Sequence, residues 1–219
     1  AICYTMIIPF LPIYLLELGV PKADVALWSG LVFGITFLIA GIMAPIWGKI
    51  ADNKGKKRMA LRAGFAIAIC YVLIGLVTDQ YQLLMGRALV GFANGFYPAA
   101  MTMVSLSVDE KQVGRALGIF QTGLILGNVI GPFLGGAVES VVGMRPVFYV
   151  SGIAVFIATL AVLFFVKEPK LHAVGADGKE QAAHHTKSTS LREDFKAVQQ
   201  QPVLVRLLWI FFFMQCAIM

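Results

Sequence analysis

The sequence predicts an all-α integral membrane protein, and three observations carry that expectation. Apolar residues fill 58% of the 219 positions and charged residues only 14%, against roughly 45–50% and about 25% in an ordinary soluble domain. The apolar residues gather into runs long enough to cross a hydrocarbon core of roughly 30 Å, which takes about 20 residues of helix. Lys and Arg concentrate in alternate connections between those runs, the charge asymmetry that orients membrane helices.

Six runs are complete and a seventh is begun: 1–19, 25–47, 59–78, 81–106, 115–139, 146–166 and 203–219. The first has no basic stretch before it and flows into Pro9 and Pro12 rather than a cleavage site, so it reads as a span and not a secretory signal. The second and sixth contain no charge, and the fifth has none between its ends. The fourth holds Arg87. Residues 1–167 are therefore expected to form a six-helix transmembrane bundle, 168–202 a central cytoplasmic loop and 203–219 the start of helix seven. Because the chain starts and stops inside apolar runs, the reading expects a fragment whose second half is missing.

Fifteen of the eighteen Lys and Arg lie in the connections after the second, fourth and sixth runs or, as Arg62, Arg115 and Arg206 do, within the first four residues of the run that follows, and only Lys22 and Arg145 lie in the alternate connections. That split puts the long linker and the N-terminus of the first helix in the cytoplasm. It also accounts for the net charge of +6 without a nucleic-acid partner. Within the linker, Ser190 and Glu193 fit a capping box, and Leu191, Phe195 and Val198 share a helical face, so a short amphipathic helix is expected along the membrane surface before Pro202. His184 and His185 have no third ligand nearby and read as solvated, so no metal is expected. Cys3, Cys70 and Cys216 stand alone in apolar runs and form no redox motif.

An ionisable group within a span is costly and is a functional candidate by default. Arg87 is that group, and because Arg keeps its proton it supplies a fixed charge. Glu17 and Glu139, near the outer helix ends, are the acids placed to pair with it. In the fifth run Gly123, Gly127, Gly131 and Gly135 recur every four residues, a surface for close helix approach, and Pro132 favours a bend there. The fourth run repeats the theme with Gly91, Gly95 and Pro98, so these two runs are expected to be the tightly packed, bendable pair. Between runs two and three, Gly48 and Gly55 permit a tight turn around Asp52, with Lys56 and Lys57 beside it. No nucleophile and base share a span, which argues against an intramembrane enzyme, and no cofactor is expected.

These elements together resemble the major facilitator superfamily. Gly48, Asp52, Gly55, Lys56 and Lys57 are similar to its signature between helices two and three, with Asn53 departing from the usual basic residue. Arg87, Gly91 and Gly95 resemble its helix-four signature, although Val90 stands where Gln is usual. Gly127, Gly131, Pro132, Gly135 and Gly136 fit the antiporter signature G-x-x-x-G-P-x-x-G-G of drug:proton antiporters with twelve spans, and Pro9, Leu11, Pro12 and Tyr14 resemble the helix-one element.

The resemblance implies a major-facilitator-type N-terminal six-helix bundle that rocks against a C-terminal six-helix half around a midplane site. It implies that Asp52 and Lys56 belong to a cytoplasmic latch, with Asp109 or Glu110 as a partner for Lys56, that Arg87 takes part in proton coupling by lowering the pKa of a nearby carboxylate or by bonding to it only when it is ionised, and that the Gly131-Pro132 bend seals helix five. Tyr4, Phe33, Phe37, Asn94, Tyr97, Gln121 and Asn128 are then the candidates for lining the substrate cavity. Their apolar and aromatic character favours a lipophilic, drug-like substrate exported against protons in contact with membrane lipid. The alternative keeps the fold but exports a single metabolite such as a sugar or amino acid.

Overall fold

The computed structural model describes residues 2–166, apart from the side chain of Glu110. All of them belong to Ala1–Leu171, the first of the two units into which the chain divides. The expected loop 168–202 and helix start 203–219 lie outside the described residues, and with them His184, His185, Cys216 and the expected amphipathic helix. Every regular element among the described residues is helical.

The first span is broken by its prolines. A short helix α1 (Ile2–Thr5) leads through a 3-10 turn (Ile8–Phe10) containing Pro9 into α2 (Leu11–Glu17), where Pro12 sits in the first turn. At that position its missing N–H costs nothing, because the opening N–H groups of a helix have no partner within it. The second span is α3 (Val25–Lys54), the third α4 (Lys56–Gly75), the fifth α7 (Val113–Val142) and the sixth α8 (Met144–Phe165). The fourth is divided into α5 (Gln80–Ala93) and α6 (Phe96–Leu106). Five of these segments are long and apolar enough to cross a membrane, and Ile2–Glu17 is a shorter apolar one.

Helix ends depart from the sequence reading in an instructive way. α3 continues to Lys54, through most of the stretch expected to be a turn. Gly48 is therefore an interior helical residue with open space beside it, and not a turn former. The turn is made by Gly55 alone, whose φ of +97° is open to glycine at little cost. Charged residues end the hydrophobic run but not the helix, since polar side chains at the water interface are compatible with helical backbone.

In lipid there is little hydrophobic drive between helices, so association rests on close packing of small residues. The third and sixth spans show it: Gly64 faces Thr159, Gly75 faces Tyr149, and Gly152 lies against the Ala68 carbonyl. At the end of the bundle away from the basic turns, Ile7, Leu11, Leu15, Ile74, Leu83, Val147 and Phe148 are fully buried. There the Tyr14 hydroxyl donates to the Ile74 carbonyl at 3.0 Å, and its ring lies 4.9 Å from that of Phe148. Large apolar side chains such as Phe133 and Phe164, each 78% exposed, point outward, as a lipid solvent allows.

The glycine row of α7 does not pair the fourth and fifth spans as expected. Gly131 and Gly135 press on the first span, at Thr5 and the backbone of Ile2 and Met6, while Gly136 faces Phe10. The Thr5 hydroxyl also donates to the Gly127 carbonyl at 3.2 Å. Gly123 lies outside this contact, in open space. In the fourth span, Gly91 meets the Thr36 backbone of the second. A four-residue spacing identifies a close-approach face and leaves the partner open. α7 itself continues through Pro132 without interruption, and the break falls in the fourth span instead.

Candidate functional site

Two glycines explain how a charged residue comes to be buried. Gly86 lets Ile74 of the third span approach, and Gly91 lets the Thr36 backbone of the second span approach. Arg87 lies between them and is only 1% exposed. The Thr36 hydroxyl lies 3.0 Å from the Val32 carbonyl and 3.2 Å from the Arg87 carbonyl, which ties the two spans at this level.

The guanidinium itself is under-satisfied. Its Nε and Nη2 are buried and make no hydrogen bond. The titratable side chains close enough to sense its charge are the phenols of Tyr71 and Tyr4. Neither expected acid reaches it: among the described residues Glu17 and Glu139 form no ion pair with Arg87. Tyr71, fully enclosed in the core, was not legible as a neighbour, because an aromatic residue in an apolar run carries no mark of what it faces.

The basic turn is built around Gly55. Asp52 ends one helix and Lys56 begins the next, and their side chains form an ion pair across the break. Among the described side chains the ion-pair partner of Lys56 is Asp52, and the side chain of Glu110 lies outside them. Lys57 donates to the Leu163 carbonyl at 2.9 Å, in the last turn of α8, where a cation complements the negative end of the helix dipole. The motif therefore joins three spans at one end of the bundle.

The substrate-cavity candidates fall into separate groups. Tyr4 and Phe37 meet edge to face at 6.4 Å. Phe33 is half-buried and packs against the buried core. Asn94 and Tyr97 line a cavity of about 330 Å³ together with Trp47, Pro98 and Thr102, and Tyr97 stacks on Phe120 at 5.9 Å. Gln121 and Asn128, on α7, are exposed. The described residues bring Asn94 and Tyr97 into one cavity and leave the others apart from it.

Comparison with known proteins gives this helical arrangement a family. The model of the Major Facilitator Superfamily matches residues 1–219. The chain belongs to the major facilitator superfamily. Among its relatives, "Multidrug resistance protein MdtG" of Proteus mirabilis (strain HI4320) is 44% identical over 166 residues, which is 75% of this chain and 41% of the relative. The protein of the same name from Yersinia enterocolitica serotype O:8 / biotype 1B (strain NCTC 13174 / 8081) is 42% identical over 166 residues, covering 75% of this chain and 40% of that one. That of Dickeya zeae (strain Ech586) is 40% identical, with 75% and 41% covered. The chain thus spans about two fifths of the length of these relatives. The all-helical fold and the family resemblance read from the motifs hold, and this major facilitator chain is a multi-pass membrane protein.

Proposed function

We propose that this chain supplies the N-terminal bundle of a proton-driven exporter of lipophilic, drug-like molecules that works by alternating access. The observation that carries the reading is Arg87, a permanent charge sealed between three spans, whose Nε and Nη2 find no acceptor among the described residues. A packing residue would be cheaper if apolar, because a buried charge without a partner is costly. A group that must bind a carboxylate when it is ionised and release it when protonated needs such donors held ready. The family match and the kinship to proteins named for multidrug resistance support transport over enzymatic chemistry.

In this reading Gly48, Asp52, Gly55, Lys56 and Lys57 form a cytoplasmic latch, Arg87 couples protons, and the row of Gly127, Gly131, Pro132, Gly135 and Gly136 keeps the first and fifth spans sealed together. Tyr4, Phe33, Phe37, Asn94, Tyr97, Gln121 and Asn128 are the residues open to a substrate, with the other six-helix half and membrane lipid as partners. The test is efflux of a fluorescent lipophilic cation in everted vesicles containing the full-length protein, with and without an imposed pH gradient. Uphill movement that collapses with an uncoupler is expected. An inserted protein that moves no such dye under any gradient overturns the drug reading and favours a single-metabolite exporter.

The latch yields its own expectation. Because Asp52 is largely exposed, Asp52→Asn should change bundle stability by no more than about 0.5 kcal/mol, the worth of an exposed pair. Efflux should nevertheless fall several-fold. Equal transport rates in the two proteins would remove Asp52 from the latch.

A further inference from the structure

We infer that the interruption of the fourth span at Asn94 and Gly95 is a hinge, and that Trp47 and Arg62 are positioning residues that clasp it. Its purpose rests on the transport reading, but its geometry does not. Where a helix stops inside the bundle, its last carbonyls lose their partners, and hydrocarbon offers no water to replace them. Here three of them are provided for separately. The Gly91 carbonyl accepts from the Asn94 N–H at 3.3 Å. The Phe92 carbonyl accepts from Trp47 Nε1 at 2.8 Å, and the Ala93 carbonyl from Arg62 Nη2 at 3.3 Å. On the far side Gly95, with φ of +144°, donates to the Asn94 side-chain oxygen at 2.8 Å.

The two clasping residues come from different spans and brace each other. The Arg62 guanidinium carbon lies 3.5 Å from the centroid of the Trp47 ring, a stacked cation–π arrangement, and the Trp47 ring meets that of Phe92 edge-on at 5.3 Å. The fourth span is therefore held at its break by single side-chain bonds from the second and third spans, which can be exchanged without unwinding a helix.

Two further observations make the break a hinge and not a fixed bend. The segment beyond it, α6, buries only Ala99 and Met103, and lightly packed segments are those that open first. Beside it lies the cavity of about 330 Å³, walled by Trp47, Asn94, Gly95, Tyr97, Pro98 and Thr102, so α6 has space to move into. α5 is anchored by contrast, with Gly86, Arg87, Val90 and Gly91 buried against its neighbours. Motion at the hinge would swing α6 while Arg87 stays in place.

The test uses the full-length protein in nanodiscs, with Cys3, Cys70 and Cys216 replaced by alanine and nitroxide labels at the exposed positions Leu89 and Leu106, one on each side of the break. A control pair at Leu89 and Ile69 reports the seating of α5 on α4. Trp47→Phe keeps an aromatic ring under Arg62 and removes the indole N–H together with one ring of the bicycle. It should raise the minor population of the Leu89 to Leu106 distance distribution about fivefold, the effect of one lost hydrogen bond, with the control pair unchanged. Arg62→Gln should act in the same direction. Identical distributions in wild type and both variants would make the break static and overturn the inference. So would broadening of the control pair, since the clasp would then hold the bundle and not the hinge. Failure of the wild type to transport would bear on the exporter reading alone, because the distances are read without substrate.

Discussion

Replacing Arg87 by methionine leaves the bundle as stable as the wild type, or more stable, and removes gradient-driven transport. Arg87 is only 1% exposed, and its Nε and Nη2 make no hydrogen bond. Breaking a buried ion pair leaves the surviving charge stranded and costs about 3–5 kcal/mol, whereas exchanging a buried charge for a well-packed apolar side chain is often neutral or stabilising by about 1–4 kcal/mol. No carboxylate is ion-paired with Arg87 among the described residues, so the second case applies. Thermal unfolding of the purified full-length variant in detergent reads the sign. Arg87→Lys keeps a charge but loses the planar fork. Its gradient-driven efflux should fall about tenfold or more, which is the loss of one charge-assisted hydrogen bond of ~1.5–3 kcal/mol. A strong drop in the unfolding midpoint of Arg87→Met would instead assign Arg87 a structural partner and withdraw the coupling role.

The long apolar helices and the burial of Arg87 were legible in the sequence because lipid imposes them: a helix must be long and apolar, and a charge within it must face inward. The residues of the basic turn were legible as a set, since Asp52, Gly55 and Lys56 are adjacent in the chain. What Lys57 reaches was not, because the Leu163 carbonyl lies 106 positions away. The break at Asn94 and Gly95 was hidden for the same reason. Gly95 looks like the other glycines of its run, and what permits a helix to stop there is a pair of donors on Trp47 and Arg62. From the sequence, Arg62 counted only as one more orienting charge. It is instead part of the packed bundle, stacked on an indole.

The same logic yields opposite signs for one substitution at two places on a single helix. Gly131 and Gly123 both lie in the interior of α7, where alanine is ordinarily worth about 0.5–1 kcal/mol more than glycine. At Gly123 nothing stands within 4 Å of an added Cβ, so Gly123→Ala should raise stability by about that amount. At Gly131 the Cβ would strike the Thr5 hydroxyl and come within 2.7 Å of the Ile2 carbonyl. The second of these is backbone and cannot rotate away, so the first and fifth spans must separate, and the bond from Thr5 to the Gly127 carbonyl, now 3.2 Å long, goes with them. Overpacking of this kind costs about 1–3 kcal/mol for an added methyl and more for a larger group. Gly131→Ala should therefore lower the unfolding midpoint, and Gly131→Leu should also abolish efflux, because a parted first and fifth span leaves a path for ions through the bundle. Proton leak into vesicles carrying Gly131→Leu, measured without substrate, distinguishes a broken seal from a merely inactive protein. If leucine at position 131 leaves both midpoint and efflux unchanged, the glycine row is not a contact surface and the first span packs elsewhere.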